Sequence, residues 1–263
     1  MIFQRMLIAL VLSCAALAAQ AQPLIAIIID DIGDRYDYGM RAMNLPGALT
    51  YSILPHTPYA RHFAELAHRQ SREVMLHLPM QAERGNRLGP GAITQAMSEE
   101  EFRHSVRDNL ASIPHVRGIN NHMGSLLTRS RMHMNWLMSE IEAHDGLFFV
   151  DSVTTLHTVA QYVAQGHQLP TTRRDIFLDS ERDIDSIRRQ FARLLDVAYQ
   201  NGHALAIGHP YPVTMQVLSE VLPYLDNFGV QLVSVSKLIS SQQQRRPKLW
   251  HASLSPSPPA AKN

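Results

Sequence analysis

Two carboxylates stand side by side where an apolar run stops: IAIII is followed by Asp30, Asp31, Ile32 and Gly33. Adjacent like charges repel, and carboxylates at the mouth of a buried strand lose solvation, so a nearby cation is the natural way to offset the cost. Other apolar runs are interrupted or ended by ionisable residues in the same manner. These are His77 in LHLPM, His122 in NNHMGS, Asp151 in FFVDS, Asp179 in FLDS and His209 in IGHP. Taken singly, each has a bland explanation: an Asp at a strand end caps the next helix, and a His beside Pro is a hydrogen-bonded structural residue. Their coincidence at run ends is what points to a site. Carboxylate plus imidazole is the ligand set of a divalent transition metal, zinc first among them. Asp31, His77 and His122 as ligands leave positions open for water and a substrate oxygen. Asp30 is then free to take a proton and His209 to return one to a leaving group.

The elements that must carry these residues alternate in type. Candidate strands cover residues 25–29, 49–54, 73–78, 116–120, 147–151, 175–179, 204–208 and 230–235. Helical patterns lie between them. PYARHFAELAHRQS precedes the third strand, and SEEEFRHSVRDNLASI opens with Ser98 and Glu101 in capping-box spacing. RMHMNWLMSEIEAHDG is expected to stop at Gly146. DIDSIRRQFARLLDVAYQNG sets Ile184, Ile187, Phe191, Leu194, Leu195 and Ala198 on one face. Strands alternating with helices argue for βα units and a parallel sheet. The expected fold is one α/β domain, a (β/α) barrel of seven to eight units, distorted or incompletely closed, with its chemistry at the C-terminal strand ends. A doubly wound open sheet is the alternative; no GxGxxG or P-loop follows the first strand, so a nucleotide-binding version lacks its phosphate cradle.

Composition narrows the partners. The chain has 263 residues, and its 24 Lys and Arg against 23 Asp and Glu leave no basic excess for nucleic acid. Arg5, the apolar run MLIALVLSCAALAA and the small-residue site AQA form a secretory signal, with a mature chain expected from Gln22. That apolar run is too short to span a bilayer comfortably, so no transmembrane span is expected in the mature chain. The expected location is periplasmic or secreted. Cys14 is the single cysteine and falls inside the signal, so the mature chain has no disulfide. VLSC also loosely resembles a lipobox, which makes acylation of Cys14 the competing reading. Residues after about 241 lose periodicity and gain Ser, Pro and Gln, as a disordered tail would.

At the run ends the sequence resembles the polysaccharide deacetylases of the NodB-homology superfamily, and more closely their divergent branch of secreted bacterial proteins. The resemblance covers most of residues 24–240 and rests on IIIDDIG, LHLPM, NNHMGS, FFVDS and GHPYPVT in that order. It implies that Asp30 is the base, Asp31 a metal ligand and His209 the strand-end catalytic histidine. In the superfamily two His ligands stand four residues apart. Here His122 is followed at that spacing by Leu126 and His77 by Gln81, so either the two His ligands come from different strands or one of them is lost. The superfamily's Arg-Pro-Tyr segment is replaced in chain order by NNHMGS. The resemblance implies a metal-dependent hydrolase removing acetyl groups from an N-acetylated cell-envelope polysaccharide. Asp151 is expected either to support the metal ligands from behind or to contact substrate, and Asp179, at its own run end, to contact substrate. Two readings compete: a non-catalytic envelope protein that keeps the carbohydrate cleft, and a glycoside hydrolase pairing Asp30 or Asp31 with Asp151 or Asp179 across the rim.

Overall fold

The structure is a computed structural model, and it describes residues 22–85 and 87–245. The signal segment with Cys14, and the tail beyond Arg245, lie outside the described residues. Eight parallel strands follow one another in the order β6-β5-β4-β3-β2-β1-β8-β7, with β9 pairing β1. They are β1 (Leu24–Ile32), β2 (Thr50–Ile53), β3 (Glu73–Met80), β4 (Val116–Met123), β5 (Phe148–Asp151), β6 (Thr171–Arg173), β7 (Ile176–Phe177), β8 (His203–Gly208) and β9 (Gln231–Leu232). The helices are α1 (Tyr36–Met43), α2 (Ala60–Arg69), α3 (Glu99–Ser112), α4 (Arg131–Glu142), α5 (Ala160–Gly166), α6 (Ile184–Asn201), α7 (Pro212–Val221) and α8 (Val235–Arg245). Every strand pairing is parallel, and the sheet curls into a distorted, incompletely closed barrel.

Alternation along the strands sorts the core into two layers. In β1, Ile25, Ile27 and Ile29 pack with Tyr51, Leu76, Ile119, Phe149 and the helix residues Phe63 and Phe102. Ala26 and Ile28 face the other way, with Met75, Phe148, Val150, Leu205 and Ile207, and α8 contributes Val235, Leu238 and Ile239 to that cluster. The barrel interior is therefore an apolar plug toward the strand N-terminal ends. Above it, one alternation further along each strand, the inward positions become polar.

Several boundaries differ from the sequence expectation. The segment read as a strand over 175–179 is paired only at Ile176–Phe177, and Thr171–Arg173 just before it is a strand that was not expected. Two residues carry the chain from one edge of the sheet to the other: Arg174 donates its N–H to Asp151, and Asp175 donates its own to Leu205. A passage that changes partner midway leaves neither half long enough to show a period. The run at 230–235 pairs only over Gln231–Leu232, and Val235 already opens α8, which continues to Arg245. Residues 241–245 thus belong to a helix rather than to a tail; burial of Leu238 and Ile239 against the barrel anchors it where composition alone suggested none. Helix α4 stops at Glu142, short of Gly146, which takes φ 79° in the turn that follows. At the start of α3, Ser98 accepts from the Glu101 N–H while the Glu101 carboxylate accepts from the Ser98 N–H, a complete capping box.

Candidate metal centre and catalytic rim

The alternation that fills the barrel also aims the site residues. Ile28, Met75 and Ile207 point inward, so the residues two further on, Asp30, His77 and His209, point inward at the C-terminal rim. Asp31 should by the same rule point outward. It does not, because the β1–β2 register gains one residue between Ile29 and Ile32 and Asp31 takes φ 57°. A bulge of this kind bends the strand and re-aims a side chain. A non-glycine residue in this region costs of order 1 kcal/mol or more, and what it achieves here is to set both carboxylates on one site.

Asp31 Oδ1 lies 3.1 Å from His122 Nδ1 and 3.2 Å from His77 Nε2, and those two nitrogens are 3.1 Å apart. Ligands about 2.0–2.1 Å from a tetrahedral ion sit roughly 3.3–3.4 Å from one another, so the triangle has nearly the size that zinc demands. Asp31 Oδ1 is buried, yet no hydrogen-bond donor satisfies it. His77 presents Nε2 because its Nδ1 is held by Asn120 Oδ1 at 2.8 Å, which fixes the ring's tautomer in the manner of a metal-ligating histidine. Burial pushes the Asp31 carboxyl upward, but the facing rings of His122 and His77, with His209 beyond, hold it well below the usual carboxylate range. Burial likewise works to lower His77, and Asp30 and Asp31 together raise it instead. Both shifts describe a place that favours added positive charge. The residues present fit a divalent ion.

Asp30 is 3% exposed, with Oδ1 accepting from Asn120 Nδ2 at 2.9 Å and Oδ2 lying 3.6 Å from His77 Nε2. Asn120 Oδ1 also accepts from the Ser52 hydroxyl. Asn120 thus holds Asp30 and His77 together, with Ser52 behind it, and neither residue is among the ionisable run ends that the sequence singles out. The signal was available: Asn120 lies two residues before His122 on β4, on the same face, and pairs in register with His77.

On the other side of β1, at the end of β8, His209 Nε2 is 3.8 Å from Asp31 Oδ2. Its Nδ1 is 2.9 Å from Asp179 Oδ1, while Asp179 Oδ2 accepts from the His209 N–H and the Thr214 hydroxyl. Burial works against the His209 imidazolium, but the Asp179 hydrogen bond and the charges of Asp31, Asp179 and Asp30 push its pKa up to about 9. Tyr211 stacks on the ring at 5.4 Å, and Phe177 packs at 5.3 Å. With both oxygens engaged, Asp179 orients His209 and is placed to act through it, rather than on substrate as the sequence reading had it.

Asp151 is not part of this constellation. It follows Phe149 and Val150 with the outward parity of Phe149, and its oxygens accept from Val153 N–H, Thr158 Oγ1 and Gln161 N–H. Those bonds tie the loop after β5 to the start of α5. The expectation that Asp151 contacts substrate is replaced by this capping role, and Ser152 takes the inward-parity position. A larger cavity of about 620 Å³ opens at the opposite end of the barrel beside Pro23, Tyr199 and Arg245. None of the site residues described above lines it, so the chemistry rather than the volume locates the site.

The strands form an incompletely closed parallel α/β barrel, and its C-terminal rim carries a carboxylate–imidazole triangle able to hold a metal ion. The model of the divergent polysaccharide deacetylases matches residues 27–239, and the chain belongs to that family. It is 37% identical over 237 residues to the uncharacterized protein YibQ of Escherichia coli (strain K12), covering 89% of this chain and 74% of that protein. A crystal structure of an uncharacterized protein from Agrobacterium tumefaciens C58 is similar with a TM-score of 0.80 at 20% identity, over 84% of this chain and 91% of that one. A CE4 family pseudoenzyme from Bacillus anthracis is similar with a TM-score of 0.51 at 14% identity, over 83% of this chain and 66% of that one. At these identities the two structural likenesses concern the fold.

Proposed function

We propose that this protein is a metal-dependent hydrolase that removes acetyl groups from an N-acetylated glycan of the cell envelope. The observation that carries the reading is the triangle of Asp31, His77 and His122, flanked by Asp30 and by the Asp179–His209 pair from the other side of β1. Family membership supports the polysaccharide as substrate. A divalent ion, zinc by the ligand set, held by those three side chains would supply Lewis acidity to the acyl oxygen. Asp30 takes a proton from the attacking water; Asn120 holds its other oxygen and so fixes its direction. His209, protonated and steadied by Asp179, gives a proton to the nitrogen as the C–N bond breaks, leaving acetate and a free amine. We place the protein in the periplasm or outside the cell on the strength of the signal segment; intact mass of the native protein, with a mature N-terminus near Gln22, checks this.

The direct test is acetate release from N-acetylated envelope polymers by the mature, zinc-loaded protein. Shortened chains with their acetyl groups intact would instead indicate a glycosidase. Binding without either cleavage would indicate a non-catalytic glycan-binding protein.

A pH dependence follows from the acid. The His209 pKa is pushed up to about 9, and a cation beside Asp31 would bring it down, so the descending limb of kcat falls at or below about pH 9. Asp179→Asn removes the charge that supports the imidazolium. The limb should then move to lower pH, as a kcat–pH profile will show; an unmoved limb would exclude His209 as the acid.

A further inference from the structure

Beside His122 the rim opens into a cavity of about 220 Å³ whose walls include Asp34, Pro55, Pro79, Arg87, Pro90 and His122 itself. Its volume falls below the roughly 300–1,000 Å³ of pockets that take whole drug-sized ligands, and suits a single ring. The walls are tied to one another. The Tyr59 N–H donates to Gly33 O and the Leu54 N–H to Ile32 O, which joins the loops after β1 and β2. Asn109 donates to Gly91 O at 2.7 Å, and its Oδ1 lies 2.9 Å from His56 Nε2, which holds the loop of residues 87–91 over the cavity. Two residues beyond the lining residues Asp34 and Thr57 stand Tyr36 and Tyr59, 47% and 38% exposed, with ring centroids 5.4 Å apart.

We propose that this cavity and the adjoining Tyr36–Tyr59 pair bind the sugar units next to the one that is deacetylated, one ring seated between Arg87 and Asp34 and the next stacked on the tyrosines. This rests on the glycan reading above and adds where the polymer runs. A carboxylate acceptor and a guanidinium donor facing one small space match ring hydroxyls, which both donate and accept. Proline walls and tyrosine faces match the apolar C–H faces of a pyranose, which pack on rings without needing charge. Tyr36 and Tyr59 rest on the buried Phe63, with ring centroids 5.9 and 6.4 Å from it, and each keeps a part exposed beyond that packing; Arg87 makes no ion pair among the described residues.

The test is calorimetric titration of the mature protein with soluble N-acetylglucosamine oligomers of increasing length, using the Asp30→Asn form so that nothing is cleaved. Tyr36→Ala combined with Tyr59→Ala, and separately Arg87→Ala, should each weaken binding of the longer oligomers about tenfold. The monomer should be affected little by the tyrosine changes. Tyr36→Phe with Tyr59→Phe keeps the rings and should retain most of the affinity, which separates stacking from damage to the fold; Tyr199→Ala, at the other end of the barrel, should change nothing. Wild-type affinity in both the tyrosine and the Arg87 variants would overturn the proposal while leaving the deacetylase reading intact. Absence of binding by any N-acetylated oligomer, with the metal site loaded, would overturn the glycan reading and this inference with it.

Discussion

Purified protein is expected to carry a stoichiometric divalent ion, and Asp31→Ala, His77→Ala and His122→Ala are each expected to lose it while remaining folded. The three ligand atoms all lie within 4.8 Å of one another, and the Asp31 oxygen among them is buried without a donor. Removing one side chain leaves two ligands, too few to hold zinc in water. Asp30→Asn should keep the ion, since Asp30 is bonded to Asn120 and stands behind the triangle. Asn120→Ala is the more searching variant. It frees the His77 tautomer without touching a ligand atom, and loss of such a partner lowers metal affinity about 10–100-fold. Elemental analysis after dialysis reads the first set, and a competitive chelator titration reads the second. Thermal unfolding gives an independent readout: wild type at a metal concentration about 100 times Kd gains roughly 2.7 kcal/mol, and the ligand variants gain nothing. A His77→Ala protein that keeps its full complement of metal would refute the placement of this centre across β3 and β4.

The second large effect concerns the proton transfers. Asp30→Asn and His209→Ala should each lower acetate release about 100- to 10,000-fold, the range for loss of a positioned acid or base. Metal content and oligomer affinity should survive in both. Asp30→Asn preserves shape and can still meet Asn120, so a loss of rate there reports the missing base rather than a collapsed site. In His209→Ala the buried Asp179 loses its ring partner but keeps Thr214 and the residue-209 N–H, so the strand end should hold. Expected together with these is a smaller loss in Asp179→Asn, because that side chain acts through His209. Variants that release acetate at the wild-type rate would remove Asp30 or His209 from the mechanism.

Much of this site was legible in the chain because strand alternation is a local rule. An apolar run ending in an ionisable residue, repeated at 28–30, 75–77 and 207–209, reads directly as inward-pointing chemistry at strand ends. The same rule, counted with care, would have set Asp151 facing outward with Phe149 and would have found Asn120 beside His122. Helix α6 was readable from its 3.6-residue period, and the start of α3 from Ser98 and Glu101, since caps and periods are encoded within a few residues.

The sequence by itself therefore determined the alternating βα order and which residues end the inner faces of β1, β3 and β8, and it favoured a barrel over a doubly wound open sheet. Tertiary structure alone decided three things. The bulge that swings Asp31 to the side of Asp30 depends on how β1 registers against β2. The meeting of His77 with His122, 45 residues apart, depends on β3 lying beside β4. The assignment of Asp179 to His209, and of residues 171–178 to two different strand partners, depends on how the sheet curls until its edges approach. Each is a non-local pairing, and side-chain identity carries no record of which distant strand will be its neighbour.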